Sequence, residues 1–252
     1  MWQLLLAALS ALIIGFSKTG VPGTGILMVP LMAIVFGGRL SVGATLPMLI
    51  FADIFAVTFY RRTADWGHLR RLAPWVLVGL ALGTATLWWM GHHPQKHDPL
   101  NSWIGIIVLL MLGISLLRNR LGDKLVPTGP VGMPATGTVA GFTTMVSNAA
   151  GPVMQIYLIA ADLPKLILMG TTAWYFLIVN VSKVPLLLGL TLDNPAKPML
   201  TTETLVINIA LFPLIAVGAL AGRALLPVIP QKTFNRVVLT LSAAAAVRLL
   251  LS

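Results

Sequence analysis

Lys18, Asp53 and Lys183 lie inside long apolar stretches, away from the loops that hold most other Lys and Arg of this 252-residue chain. Ionisable side chains at bilayer depth are costly, and by default they mark a ligand or ion pathway. Two cations against one acid make a cavity of net positive sign, which favours a small anion. Lys18 stands within Gly15-Phe-Ser-Lys-Thr-Gly-Val-Pro-Gly-Thr-Gly25, which interrupts an apolar run from Trp2 to Phe36. Glycine costs about 1 kcal/mol and proline about 3 kcal/mol in a helix interior relative to alanine, so this stretch predicts a break. Non-helical backbone at membrane depth survives only where protein buries it or where it lines a watery cavity. A second break is predicted at Ser147-Asn-Ala-Ala-Gly-Pro152.

The two breaks supply the candidate ligand contacts. They are Ser17, Lys18, Thr19, Gly20, Gly23, Thr24 and Gly25 in the first, and Thr144, Ser147, Asn148 and Gly151 in or beside the second. Asn180 and Lys183 join them from the span that follows the second break. Half-helix N-termini near Gly25 and Gly151 would add positive dipole ends, and free backbone N–H groups would add donors. Hydroxyls and amides satisfy oxyanion oxygens without charge. Asp53 has two open roles: neutralising a lysine, or carrying a coupling proton. Each residue also has a plain structural use. Glycines allow close helix contact, lysines snorkel to an interface, and Ser or Thr bond their own helix backbone.

Composition sets the class. The chain is 57% hydrophobic and 10% charged, with a mean hydropathy of +0.91, against roughly 25% charged in an average soluble domain. Several apolar runs of about 20 residues predict a polytopic helical membrane protein. A net charge of +10 would suggest nucleic acid in a soluble chain. Here the basic residues sit in short loops, where they orient helices toward the cytoplasm. Seven acids form no carboxylate cluster for a cation path, and the lack of cysteine excludes disulfides and thiolate metal sites. His92, His93 and His97 are read as a solvated loop, not a metal site. Gly20-Val-Pro-Gly-Thr-Gly25 lacks the ending of a phosphate loop. No cofactor is implied, and the sparse acids give an enzyme no acid–base constellation.

The expected order is two half-helices, 2–16 and 26–36, then spans at 43–60, 73–90 and 102–117, with Trp66–Arg71 as a basic loop. A linker at Pro127–Pro134 leads to a broken segment, 135–160, and spans at 170–190, 204–226 and 236–251. The halves repeat. Gly15-Phe-Ser matches Gly141-Phe-Thr, Gly43-Ala-Thr matches Gly170-Thr-Thr, and Asp53 falls opposite Asn180. Pro74, Gly79 and Gly83 recur as Pro213, Gly218 and Gly222, and Pro94-Gln-Lys as Pro230-Gln-Lys. The fold expected is all-α, with repeats 1–126 and 127–252 forming one transport domain. Each repeat is a broken or re-entrant helix followed by three spans. Re-entrant breaks make the repeats inverted and divide the loop Lys and Arg 11 to 4, whereas fully crossing breaks divide them 9 to 6. The positive-inside rule favours inversion. The N-terminal apolar run lacks a basic start and a clear cleavage site, and is read as a membrane segment.

On the opening motif, Pro30, Gly43-Ala-Thr-Leu-Pro47, Gly141-Phe-Thr-Thr and the whole-chain duplication, the sequence resembles the sulfite exporter TauE/SafE family of membrane permeases. The resemblance implies a multi-pass inner-membrane permease for sulfite, sulfonates or other small organic anions, with protons as a coupling ion. Thr144 stands where the first motif has Lys18, so symmetric anion ligation needs Lys183 as the second charge. The competing classes are an integral-membrane enzyme, an accessory subunit without transport of its own, and a passive channel.

Overall fold

A backbone crossing lipid must satisfy every N–H and C=O internally, and the helix does so within one segment. The computed structural model describes residues 2–20, 24–93, 99–121, 132–161, 163–225, 240, 243–248 and 250–251, and all regular structure among them is helical. Helix α1 is Trp2–Thr19, followed by a 3₁₀ turn at Thr24–Leu27 and α2 at Met28–Phe36. Then come α3 (Gly38–Tyr60), α4 (Trp66–His92) and α5 (Pro99–Leu121). The second half holds α6 (Gly132–Ser147), α7 (Gly151–Ala160), α8 (Lys165–Asp193) and α9 (Thr202–Leu225). Five of these helices, α1, α3, α4, α8 and α9, are long and apolar enough to cross a membrane.

Glycine sets the closest packing. A Cβ on Gly15 would strike the Ile215 carbonyl and the Ala219 N–H of α9, and one on Gly141 would strike the Val76 carbonyl and the Leu80 N–H of α4. Gly218 lies on Leu12 and Gly79 on Thr138, while Gly222 lies on Phe16 and Gly83 on Met145 and Phe142. The residue numbers rise together, so α1 runs alongside α9 in the same direction, and α6 alongside α4. Gly43 abuts the Met199 carbonyl, and Gly170 abuts the Tyr60 carbonyl and Thr63. Those contacts make α3 and α8 antiparallel. The broken helix of each half thus lies against a long helix of the other half, with α3 and α8 crossing between them. Such small-residue contacts let backbones approach, which drives helix association where lipid gives no hydrophobic gain.

Side-chain contacts mark the two ends of the bundle. Arg39 donates to the Lys197 and Leu87 carbonyls, both at 2.8 Å, placing these three at one end of the bundle. At the other end Arg223 lies over the Phe59 ring at 4.3 Å, near Arg61 and Arg62 at the close of α3.

Two expectations change. Gly15 to Thr19 belong to α1, so the helix runs through the first five residues of the expected break. The cost of Gly15 in a helix is offset by its seat on α9, and the Ser17 and Thr19 hydroxyls donate to the Ile14 and Gly15 carbonyls within α1. Trp66 to Arg71 form the first turns of α4, not a loop. Asp65 starts that helix as its N-cap, accepting from the His68 N–H at 3.1 Å and lying 3.0 Å from the His68 ring nitrogen. Its own N–H donates to Thr171 of α8 at 2.9 Å. His97, Lys96, Pro94, Pro230, residues 127–131 of the linker, and residues 236–239, 241–242 and 249 of the last expected span lie outside the described residues.

These His68 bonds hold the Asp65 carboxyl below its ordinary range. A lowered folded value means that the stabilisation is present above the ordinary carboxylate range and fades as pH falls through the folded value. Asp65→Ala is expected to cost about 1 kcal/mol, as for other lost N-caps. The difference from the native protein in detergent unfolding should shrink on acidification; a pH-independent difference would remove the carboxylate from the account.

Candidate functional site

Residues at the two breaks and on the helices beside them line a partly open cavity of about 60 Å³, largely apolar with a few polar groups set into it. A water needs roughly 10–15 Å³ of such space, so the cavity takes a few waters or one small ion. It is lined by Ser17 and Lys18 at the end of α1, by Gly25 in the turn that follows, by Thr144 of α6, and by Asn148 and Gly151 at the second break. Helix α8 contributes Thr172, Phe176 and Asn180, successive turns of one face, and α7 contributes Gln155. Gly25 leaves room for the Ser17 hydroxyl, which would sit 2.9 Å from a Cβ there.

The charge centre joins three helices. Lys18 Nζ pairs with Asp53 Oδ1 at 2.7 Å, and Asp53 Oδ2 accepts from Asn180 Nδ2 at 2.7 Å. Asp53 is 0% exposed, while Lys18 keeps 14% of its side chain accessible. The carboxylate lies behind the lysine, and the ammonium faces the cavity. That ammonium also stands 4.0 Å from the Phe176 ring centroid, a cation–π contact strengthened by desolvation. Lys18 therefore does not snorkel. Asn180 Oδ1 and Thr172 Oγ1 are buried without a protein partner among the described residues, which leaves polar capacity on the α8 wall.

Lys183 is 0% exposed and does not line the cavity. Its ammonium donates to the Thr144 carbonyl at 2.8 Å and to Asn148 Oδ1. These groups close α6, whose C-terminal end carries partial negative charge and favours a cation. Asn148 takes the left-handed conformation, φ 58°, that ends many helices, and its N–H bonds the Thr144 carbonyl at 3.0 Å. Its Nδ2 donates to the Val42 carbonyl at 3.1 Å. Lys183 thus supplies a second positive charge behind the wall, reaching the cavity through Thr144 and Asn148.

Three more expected contacts also point elsewhere. Thr19 donates to the Ala219 carbonyl at 2.6 Å, and its own carbonyl accepts from Tyr60 at 2.8 Å. Gly20 packs against Gly222, and Ser147 donates to the Thr143 carbonyl. Packing against α9 and bonding within α6 have claimed these groups. Gly23 and the Thr24 side chain lie outside the described residues. Sequence reasoning missed Thr172, Phe176 and Gln155. Thr172 and Phe176 stand two turns and one turn before Asn180, and that spacing was the available signal.

A polytopic helical protein with a small charged cavity where two broken helices meet has the architecture of a membrane transporter. The model of the family described as Sulfite exporter TauE/SafE matches residues 7–249, and the chain belongs to that family. Comparisons with curated proteins and with solved structures give no match. The family assigns transport of an anion across a lipid bilayer, and the chain is not an enzyme.

Proposed function

We propose that this chain is a secondary permease for a small oxyanion, sulfite or a compact sulfonate, in the inner (plasma) membrane. The observation that carries this reading is Lys18, a cation facing a cavity of about 60 Å³ with its counter-ion wholly buried behind it. An incoming anion competes with Asp53 for the Lys18 ammonium. The Thr172 hydroxyl, which has no protein partner among the described residues, and the N-terminus of α7 at Gly151 offer neutral donors. Asp53 balances the charge released from Lys18 by taking a proton, which couples anion movement to H⁺. Lys183 adds positive potential from behind the second break.

Residues 1–126 and 127–252 act as two inverted repeats of one transport unit. Support comes from the paired glycine contacts of α1 on α9 and α6 on α4, and from the opposed directions of α3 and α8. Alternating access is a rocking of one repeat against the other around the fixed cavity.

The test is anion flux by purified protein in lipid vesicles, with and without an imposed pH gradient. Native protein alone is expected to move sulfite faster along the gradient that supplies protons. Lys18→Ala, still inserted in the vesicle, is expected to lose that flux. Normal flux in the variant rejects the role of Lys18. Absence of flux from native protein alone favours an accessory subunit.

A further inference from the structure

A second cavity, of about 370 Å³, lies between α4 and α8 and shares no lining residue with the anion cavity. Its wall is apolar along the length of α4, through Leu69, Val76, Leu77 and Leu80, and it ends in Trp66 and Arg70. From Trp66 to Leu80 the α4 axis rises roughly 21 Å, at 1.5 Å per residue. That length suits one acyl chain entering from the membrane surface. Trp66 rests on Trp174 with ring centroids 5.2 Å apart, and Trp174 Nε1 donates to the Arg61 carbonyl at 3.3 Å. Paired tryptophans of this kind mark the headgroup level of a bilayer. Arg70 is exposed at that level and makes no ion pair among the described residues. Arg70 is the one charged residue among those lining the groove, so the mouth carries a positive charge. Tyr175, next to Trp174, lines the groove, and its buried hydroxyl has no protein partner among the described residues.

We propose that the α4–α8 groove is a binding site for one anionic phospholipid. An acyl chain lies along Val76, Leu77 and Leu80, the phosphate meets Arg70, and an ester carbonyl accepts from Tyr175. The basic mouth selects an anionic over a zwitterionic headgroup, because basic side chains at the membrane surface are drawn to anionic lipid. Because α4 also packs on α6, and α8 carries Asn180, the bound lipid braces two walls of the anion cavity.

The test is thermal unfolding of full-length protein in detergent, supplemented with phosphatidylglycerol or phosphatidylcholine of equal chain length. The native midpoint is expected to rise by several degrees more with phosphatidylglycerol, since a ligand bound only by the folded state stabilises by mass action. Arg70→Gln should bring the two lipids to equal effect. Ala73→Trp, which fills the groove, should remove most of the response to both, while Leu220→Trp on the lipid face of α9 should keep the native pattern. Equal responses of the native protein to both lipids overturn the proposal. So does an Arg70→Gln variant that keeps the native preference, or a Leu220→Trp variant that loses it.

Discussion

Lys18→Met is expected to destabilise the folded protein by about 3–5 kcal/mol, the cost of removing one partner of a buried pair. Asp53 has no exposure to solvent, and without Lys18 its remaining bond among the described residues comes from Asn180 Nδ2. The double variant Lys18→Met, Asp53→Leu should recover most of that loss. Replacing a whole buried pair by apolar groups of similar volume is often neutral or stabilising. Anion flux should stay absent in both variants, because neither presents a cation to the cavity. Stability and function then separate: the pair is a poor device for holding helices together and a necessary one for binding. Unfolding in denaturing detergent, measured for the two single variants and the double, gives the coupling energy. A Lys18→Met protein as stable as the native one would mean that the pair contributes nothing to the fold.

The second large effect lies in the glycine contacts. Gly15→Ile and Gly141→Ile each drive a side chain into backbone carbonyl and N–H groups of the facing helix, which cannot rotate aside. Overpacking ordinarily costs roughly 1–3 kcal/mol, and occasionally more. Here the neighbour is main chain, so the loss belongs at the upper end or beyond, with little folded protein recovered. The two variants should be about equally severe, because Gly15 on α9 and Gly141 on α4 make corresponding contacts. Gly189→Ile is the control, since no atom lies within 4 Å of a Cβ there. Folded yield after detergent extraction, followed by size-exclusion profile, reads the difference. A well-folded Gly15→Ile protein would show that α1 does not rest on α9 as closely as described.

The sequence determined the solvent, the class and the charge centre. Apolar runs of membrane length leave the helix as the form that satisfies each backbone group within its own segment, and glycine with proline has to break it. Lys18, Asp53 and Lys183 stood out because charge at bilayer depth is too costly to be incidental. Asp53 was matched with Asn180 by the internal repeat, and the structure joins them by a hydrogen bond. The second break was legible too, since Asn, Gly and Pro fall together there.

Only the tertiary structure decided which polar groups face the cavity. Lys18 and Lys183 look alike in the sequence, yet one faces the cavity and the other closes α6 from behind. Thr19 and Ser147 carry hydroxyls suited to an anion, but backbone carbonyls next to them take those hydroxyls first. Phe176 had no polar signature and became visible only as the ring beneath the Lys18 ammonium. Periodicity says which residues share a face of one helix. It does not say which neighbour that face meets, because the pairing of α1 with α9 and α6 with α4 joins residues far apart in the chain. That pairing rests on backbone approach at single glycines, a property of two surfaces together and of neither segment alone.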